Sequence, residues 1–424
     1  MDKSLLKKAA MQSVALMVAV ITASYTLQQY QTVEISASNI AGANSYAGDE
    51  TAIELVDSRI SILPEKNLPA AVPDRMAASL SELKGQVEDS LMNKLSDHYL
   101  VIKKPEAREG TISLEDIYIN HSIKLHMTGL LTDRLDSSMI MRVRGDEAFL
   151  GDPVYQEIVT QEKDEENTVT EVVTRDYGKD ISHGITFSMK KEEATGLINC
   201  DILIELDQVY AYFIYEDEHY YFVDLRKPSD VYDKILVIDP GHGGKDAGAL
   251  SKNEMYYEKN INLGIVLALK EILDQENIKV YYTRTADDKV FLRPRVTLAN
   301  AVDCDYYISI HCNSNEVSSP NGTEVLYYDT KFHGVPNQKL ADIFSEELGK
   351  TVELEKRGTV LKKEKEIFIM DKAKVPMILI EIGYLSNKQD LDYLIDPNHQ
   401  KDIAQGIYNG IRRAFEELPA VREK

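Results

Sequence analysis

Residues 233–248 read DKILVIDPGHGGKDAG. Four apolar residues, Ile235 to Ile238, and then Asp239 run straight into a Pro-Gly-His-Gly-Gly turn. A short continuous apolar run closed by turn residues is the pattern of a strand buried on both faces. Such a strand delivers His242 into a loop of glycines, and two chemistries use that device. The loop either cradles a phosphate on its backbone amides or turns sharply to hold one imidazole at a fixed point, as a metal site needs.

The pattern repeats downstream. Strand-like runs at 235–239, 278–283, 305–310 and 376–382 alternate with helix-like runs at 258–276, 293–303, 335–350 and 399–417. Alternating β and α with near-continuous apolar strands predicts an α/β domain over 231–424, a mostly parallel sheet flanked by helices. "GTEVLYYD" at 322–329 reads as an edge strand of that sheet.

Upstream the period changes to two. Residues 99–230 read as a β-rich domain, with "SIKLHMTGLL" and "SMIMRVRG" as strands and "YAYFIYEDEHYYFVDL" as a hairpin turning at Glu216 to His219. Between them "TQEKDEENTVTE" reads as a solvated acidic loop. No cluster of ligand-type residues lies in this region, so binding or positioning is expected of it rather than chemistry. Residues 74–98 carry helical spacing with Asp74 and Ser79 as caps, and read as one amphipathic helix serving as a spacer. Residues 28–73 are small, polar and aperiodic, a linker. Lys3, Lys7 and Lys8 precede an apolar run densest from Val14 to Ala23, so residues 1–27 read as an export signal or, if uncleaved, an apolar helix anchoring the chain in a membrane. The rest of the chain is then extracytoplasmic.

The formal net charge of −22 over 424 residues argues against nucleic acid and against electrostatic docking on anionic lipid. Cys200, Cys304 and Cys312 are odd in number and widely spaced, neither a disulfide framework nor a zinc knuckle.

Ligands of open α/β sheets bind at the carboxyl ends of the strands. Three strands end there in residues fit for chemistry: His242, His311 in "YYISIH", and Glu381 in "MILIEIG". The helix opening "YYEKNIN" begins with Glu258. Two histidines and a carboxylate make the donor set of a catalytic zinc site. A bare carboxylate inside Glu381's apolar strand costs several kcal/mol in effect, so a metal, a cation or a proton-carrying role must offset it. If Glu258 completes the zinc shell, Glu381 is free to act as general base on water. The phosphate reading fails on its own residues. Lys245 is followed by Asp246 where a P-loop needs Ser or Thr, and Asp246 also occupies the third glycine position of a dinucleotide fingerprint. His333 and His399 read as surface residues, Cys304 and Cys312 as core.

Taken together, "VIDPGHGGKDAGA", "YYEKNINL", "TRTADDKVFLRPRVTLAN", "SIHCNSN", "GTEVLYY" and "VPMILIEIGYLSNKQD" resemble the zinc-dependent N-acetylmuramoyl-L-alanine amidases, the family of bacterial sporulation and cell-division amidases. The resemblance covers 231–424. It implies zinc held by His242, Glu258 and His311, Glu381 as the catalytic acid/base, and peptidoglycan as substrate, cut at the amide joining the lactyl group of N-acetylmuramic acid to L-alanine. It also implies Asn313 and Arg357 as substrate-side polar residues, and Arg295 with Asn300 in the family's helix pattern. It names no protein activator. Two departures stand out: "LKKEKEIFIMDKAKVP" is more charged than the common version, and Cys312 replaces a small residue. No long insertion lies between Asp329 and Glu355, so an open site, or one controlled by the β-rich domain, is expected. The rival readings are a zinc peptidase on the stem peptide and an inactive wall-binding protein.

Overall fold

In the computed structural model, which describes residues 53–54, 59–62, 76–108, 110–163 and 169–422, the opening stretch forms strand β1 (Ile235–Pro240) at the heart of a six-stranded sheet. The others are β2 (Lys279–Tyr282), β3 (Tyr306–Asn313), β4 (Thr323–Tyr327), β5 (Lys356–Leu361) and β6 (Met377–Tyr384), in the order β2-β1-β3-β6-β4-β5. All neighbours are parallel except β4 and β6. The segment read as an edge strand therefore lies inside the sheet: β5, which the charged sequence around Lys356 and Arg357 disguised, covers its outer side.

Side chains alternate between two cores, as the pleat requires. Leu236, Ile238, Ile308, Ile310, Ile378 and Ile380 pack under helices α1 (Glu258–Leu273), α3 (Asn337–Thr351) and α6 (Pro397–Glu417). Ile235, Val237, Tyr307, Met377 and Leu379 face α2 (Leu292–Ala301) and α4 (Phe368–Lys372). A short helix α5 (Lys388–Leu394) follows β6, capped by Asn387. Neither α4 nor α5 is legible in the apolar spacing, being too short to show a period.

The preceding region is a sandwich of two antiparallel sheets. One orders Ile53–Glu54, Ala211–Glu216, Tyr220–Arg226, His98–Lys103, Ile140–Arg144 and Glu147–Leu150; the other orders Ser182–Lys191, Ile198–Leu206, Ser122–Leu130, Ile112–Ile117 and Arg59–Ile62. Leu100, Ile102, Leu114, Leu125, Ile202 and Val223 fill the space between them. Three expectations change here. The stretch 28–73 contributes strands at Ile53–Glu54 and Arg59–Ile62 and is not wholly linker. The single spacer helix is two short helices, Leu80–Gln86 and Asp89–Met92, broken where Val87 turns extended. Met76, Leu83 and Val87 lie against Tyr99, Met141 and Phe222, so apolar burial on the sheet, not propagation of one helix, decides their course. The acidic loop is the end of a hairpin, Gln156–Lys163 paired with Val169–Asp176. Ser79 does cap the first helix, accepting from the Glu82 amide.

The sandwich meets the α/β sheet at β2. The Tyr118 hydroxyl donates to the Tyr282 carbonyl at 2.9 Å and accepts from the Tyr282 amide at 3.1 Å, covering an otherwise open strand edge. The Tyr118 ring stands edge-on to Tyr281. The export signal or anchor at 1–27 lies outside the described residues, and no helix among those described is long and apolar enough to cross a membrane.

Candidate metal centre

His242, Glu258 and His311 converge at the carboxyl ends of β1 and β3, each offering a ligand atom within 4.8 Å of the others. Glu258 opens α1, and its carboxylate lies 3.1 Å from His242 Nε2 and 2.8 Å from His311 Nδ1. The Ala249 and Cys312 amides donate to it at 2.8 and 3.1 Å, and the Asn262 amide group donates at 3.2 Å. Burial works to raise its pKa, but the hydrogen bonds and charge of the two histidines outweigh that and hold it well below the usual carboxylate range. The Asp246 carboxylate stands 3.0 Å from His242 Nδ1, close enough to act on the ring through its charge. For His242, burial favours the neutral ring, yet Glu258 and Asp246 prevail and raise the pKa.

The glycines explain themselves in this geometry. His242 itself takes the left-handed conformation, φ 63°. Gly241 leaves the room that the His311 ring fills, since a Cβ there would overlap its Cε1 and Nε2. A Cβ on Gly248, at φ +67°, would come within 2.5 Å of Glu258 Oε2 and 2.6 Å of His242 Cδ2. At Gly241 and Gly248 the missing side chain makes space for the three donors, while Gly243 at φ 135° and Gly244 at φ 58° free the turn itself. A His₂Glu set packed this closely is the donor chemistry zinc takes.

Two buried arginines hold the loop. Arg295 donates to Asp239 Oδ1 at 2.5 Å, to the Pro240 carbonyl at 2.9 Å and to the His242 carbonyl at 2.7 Å. Arg284 donates to the carbonyls of Pro240, Gly241 and Lys259. Asp239 also accepts from the hydroxyls of Thr283, Tyr307 and Ser309. Burial would raise the Asp239 pKa, but Arg295 and these donors bring it to about 2. Arg295 is thus a support of the His242 loop, and Asn300 ties α2 to the Lys372–Lys374 backbone.

Glu381 stands in register beside His311 on the parallel neighbour β6. Its Oε2 is sealed from solvent with no hydrogen-bond partner. Burial first, then the negative charges of Glu258 and Glu324, push its pKa well above the usual range. The residue that sequence reasoning missed is Glu324 on β4. Asn313 donates to it at 3.0 Å and Arg357 at 3.1 Å, and the Tyr384 hydroxyl lies 3.4 Å away. The two expected substrate-side residues therefore meet on one carboxylate. The signal was present in "GTEVLYY", a glutamate inside an apolar strand like that of Glu381. The Cys304 and Cys312 side chains lie in the two cores of the α/β sheet.

A family model described as N-acetylmuramoyl-L-alanine amidase matches residues 236–413, β1 through most of α6. The N-acetylmuramoyl-L-alanine amidase CwlM of Bacillus licheniformis is 36% identical over 182 residues, 42% of this chain and 68% of that protein. The germination-specific N-acetylmuramoyl-L-alanine amidase of Bacillus subtilis (strain 168) is 32% identical over 198 residues, 43% of this chain and 81% of its own length. Among solved structures, the catalytic domain of CwlV, an N-acetylmuramoyl-L-alanine amidase from Bacillus (Paenibacillus) polymyxa var. colistinus, is 33% identical, with 43% of this chain and 98% of that one covered and a TM-score of 0.40.

Proposed function

This chain belongs to the N-acetylmuramoyl-L-alanine amidase family and is a peptidoglycan hydrolase, and within that activity we propose that His242, Glu258 and His311 hold a zinc ion and that Glu381 carries the proton. The observation that supports this is the three donor atoms gathered beside a glutamate whose Oε2 is buried and unpartnered. Zinc bound there supplies Lewis acidity toward water and the amide carbonyl, and its charge offsets that of the surrounding carboxylates.

The protein's own residues do the rest. Glu258 anchors both histidine rings and is itself fixed by two backbone amides, which pre-organises the donors. Glu381 takes a proton from the attacking water as the carbonyl carbon is attacked. It returns that proton to the nitrogen of L-alanine as the C–N bond breaks, leaving a free amine and the carboxylic acid of the lactyl group, which ionises as the amine takes up its proton. Burial favours a neutral carboxyl at Glu381, which suits a group that must hold a proton between the two steps. Asn313 and Arg357, both bonded to Glu324, present polar groups toward the peptide side of the substrate. An envelope location, with residues 1–27 as export signal or membrane tether, follows from the substrate, which lies outside the membrane.

The test is digestion of purified peptidoglycan by the full chain, with mass spectrometry of the products and metal analysis of the protein. New alanine amino termini paired with free lactyl carboxylates, lost in Glu381→Gln and after chelation, are expected. Cuts inside the stem peptide would make the enzyme a peptidase. Full activity in metal-free protein would remove the zinc assignment.

A further inference from the structure

The cleft at the candidate metal centre, about 130 Å³, has a second wall that the chemistry above does not use. Beside His242, Asp246, Arg295 and His311 its lining includes Lys289, Phe291, Leu292 and Ile369. Phe291 and Leu292 are 65% and 54% exposed, two adjacent large apolar residues open to solvent beside a polar site. Lys289 places its ammonium 4.4 Å from the centre of the Phe291 ring.

Phe291 is also the N-cap of α2, and its side chain makes no capping hydrogen bond. That position favours Ser, Thr, Asp or Asn, whose oxygen accepts from the first free amides of the helix. Phenylalanine there gives up a cap and gains no burial. Several helices of this chain also lack a side-chain cap, so it is the exposure of the Phe291 ring at the cleft, which core packing does not account for, that carries weight.

Sheet order separates this lip from the other polar wall. Lys289 to Leu292 lie on the connection from β2 to α2, on one flank of the centre. Glu324 and Arg357 stand on β4 and β5, on the other flank, with His311 and Glu381 between. The substrate is equally two-sided. On one side of the scissile amide is a peptide rich in amides and carboxylates, and on the other a pyranose with a C–H face and a rim of hydroxyls. The hydrogen-bonding wall suits the peptide. An exposed ring with an ammonium beside it suits the sugar, because the ring offers an apolar face and the ammonium donates to hydroxyls.

We propose that Phe291, with Lys289, is the subsite for the N-acetylmuramic acid ring, stacking the sugar and setting the register of the lactyl carbonyl over the centre. This rests on the amidase reading above. It is a specificity contact, made by residues that leave the reacting atoms to others.

The experiment compares two substrates with the full chain: MurNAc-L-Ala-D-isoglutamine and the same peptide carrying only a lactyl group in place of the sugar. The readout is the ratio of their kcat/KM values. In Phe291→Ser and Phe291→Ala that ratio falls about tenfold, the size of one good aromatic contact, through a raised KM for the sugar-bearing compound. Phe291→Trp keeps the ratio. Phe291→Ser supplies a capping hydroxyl, so its unfolding midpoint does not drop and lost folding is not the cause. An unchanged ratio, or an equal loss on both compounds, would overturn the assignment and leave the lip to the peptide or to the loop's own structure. Digestion of purified peptidoglycan is read first: if the wild-type chain yields no new alanine amino termini there, the amidase reading itself falls before any variant is compared.

Discussion

Glu324 and Glu381 face each other directly across antiparallel strands β4 and β6. Like charges in that position repel. The structure resolves the conflict unequally: Glu324 is bonded by Asn313 and Arg357, while the Oε2 of Glu381 is buried without a hydrogen-bond partner and its pKa is pushed up. In the proposed mechanism the unbonded carboxylate of the two is the one that carries the proton.

Replacing Glu324 with Gln removes a charge that raises the Glu381 pKa. A general base must be ionised to act, so the acid limb of the kcat/KM profile moves to lower pH. Asn313 and Arg357 lose an ionic partner in the same variant, and KM rises. An acid limb that stays in place would show that Glu324 does not feel Glu381.

Gly241 and Gly248 are expected to be intolerant of even one methyl. Alanine at 241 overlaps the His311 ring and alanine at 248 crowds Glu258 and His242. Zinc affinity, measured by competition with a chromophoric chelator, falls by about tenfold or more in either variant, since it depends on ligand placement. Gly145→Ala is the control, left-handed at φ 60° but with no atom near the added Cβ. It carries backbone strain of about 1–2 kcal/mol and leaves zinc affinity alone. Equal losses in all three would mean that general instability, not crowding of the donors, is being measured.

Arg295→Met leaves Asp239 buried without its cation. Removing one partner of such a pair costs about 3–5 kcal/mol, and denaturant unfolding should register it. Adding Asp239→Asn restores part of the loss. The native pKa of about 2 lies below the unfolded value, so the pair's contribution is present above pH ~3.9 and is lost as the pH falls through 2. A single variant as stable as wild type would show the clamp on the His242 loop to be dispensable.

Asp116 works with the opposite sign. It lies among Tyr212, Tyr281 and Lys279 where the sandwich meets β2, and burial, only partly countered by Lys279, lifts its pKa to about 7. The folded chain binds its proton more tightly than the unfolded chain, so its contribution is full below pH ~3.9 and declines as the pH rises to 7. Asp116→Asn should flatten that part of the stability profile and melt higher than wild type at pH 8. Melting points that differ by the same amount at pH 5 and pH 8 would exclude a titrating group at this junction.

The apolar runs and their spacing were enough to place β1, β3, β6, α1 and α6 and to predict that His242, His311 and Glu381 share one end of a sheet. Periodicity carries that information because each strand buries both faces and each long helix buries one. The short elements did not announce themselves, nor did β5, whose exposed Lys356 and Arg357 hide a strand that pairs with β4. The break at Val87 was invisible for a related reason. It is imposed by packing on the sandwich, which local helical spacing does not record.

The amino-acid sequence by itself determined the residue types of the centre, the strand and helix ends that carry them, and the family to which the chain belongs. Tertiary structure alone decided what surrounds them: the two glycines that make room for the donors, the arginines beneath the His242 loop, the carboxylate at 324 that receives Asn313 and Arg357, and the exposed ring of Phe291 at the rim. Those relationships join residues tens of positions apart, across strands that are neighbours in space but not in sequence. Only the order β2-β1-β3-β6-β4-β5, set by burial and pairing over the whole sheet, brings them within reach of one another.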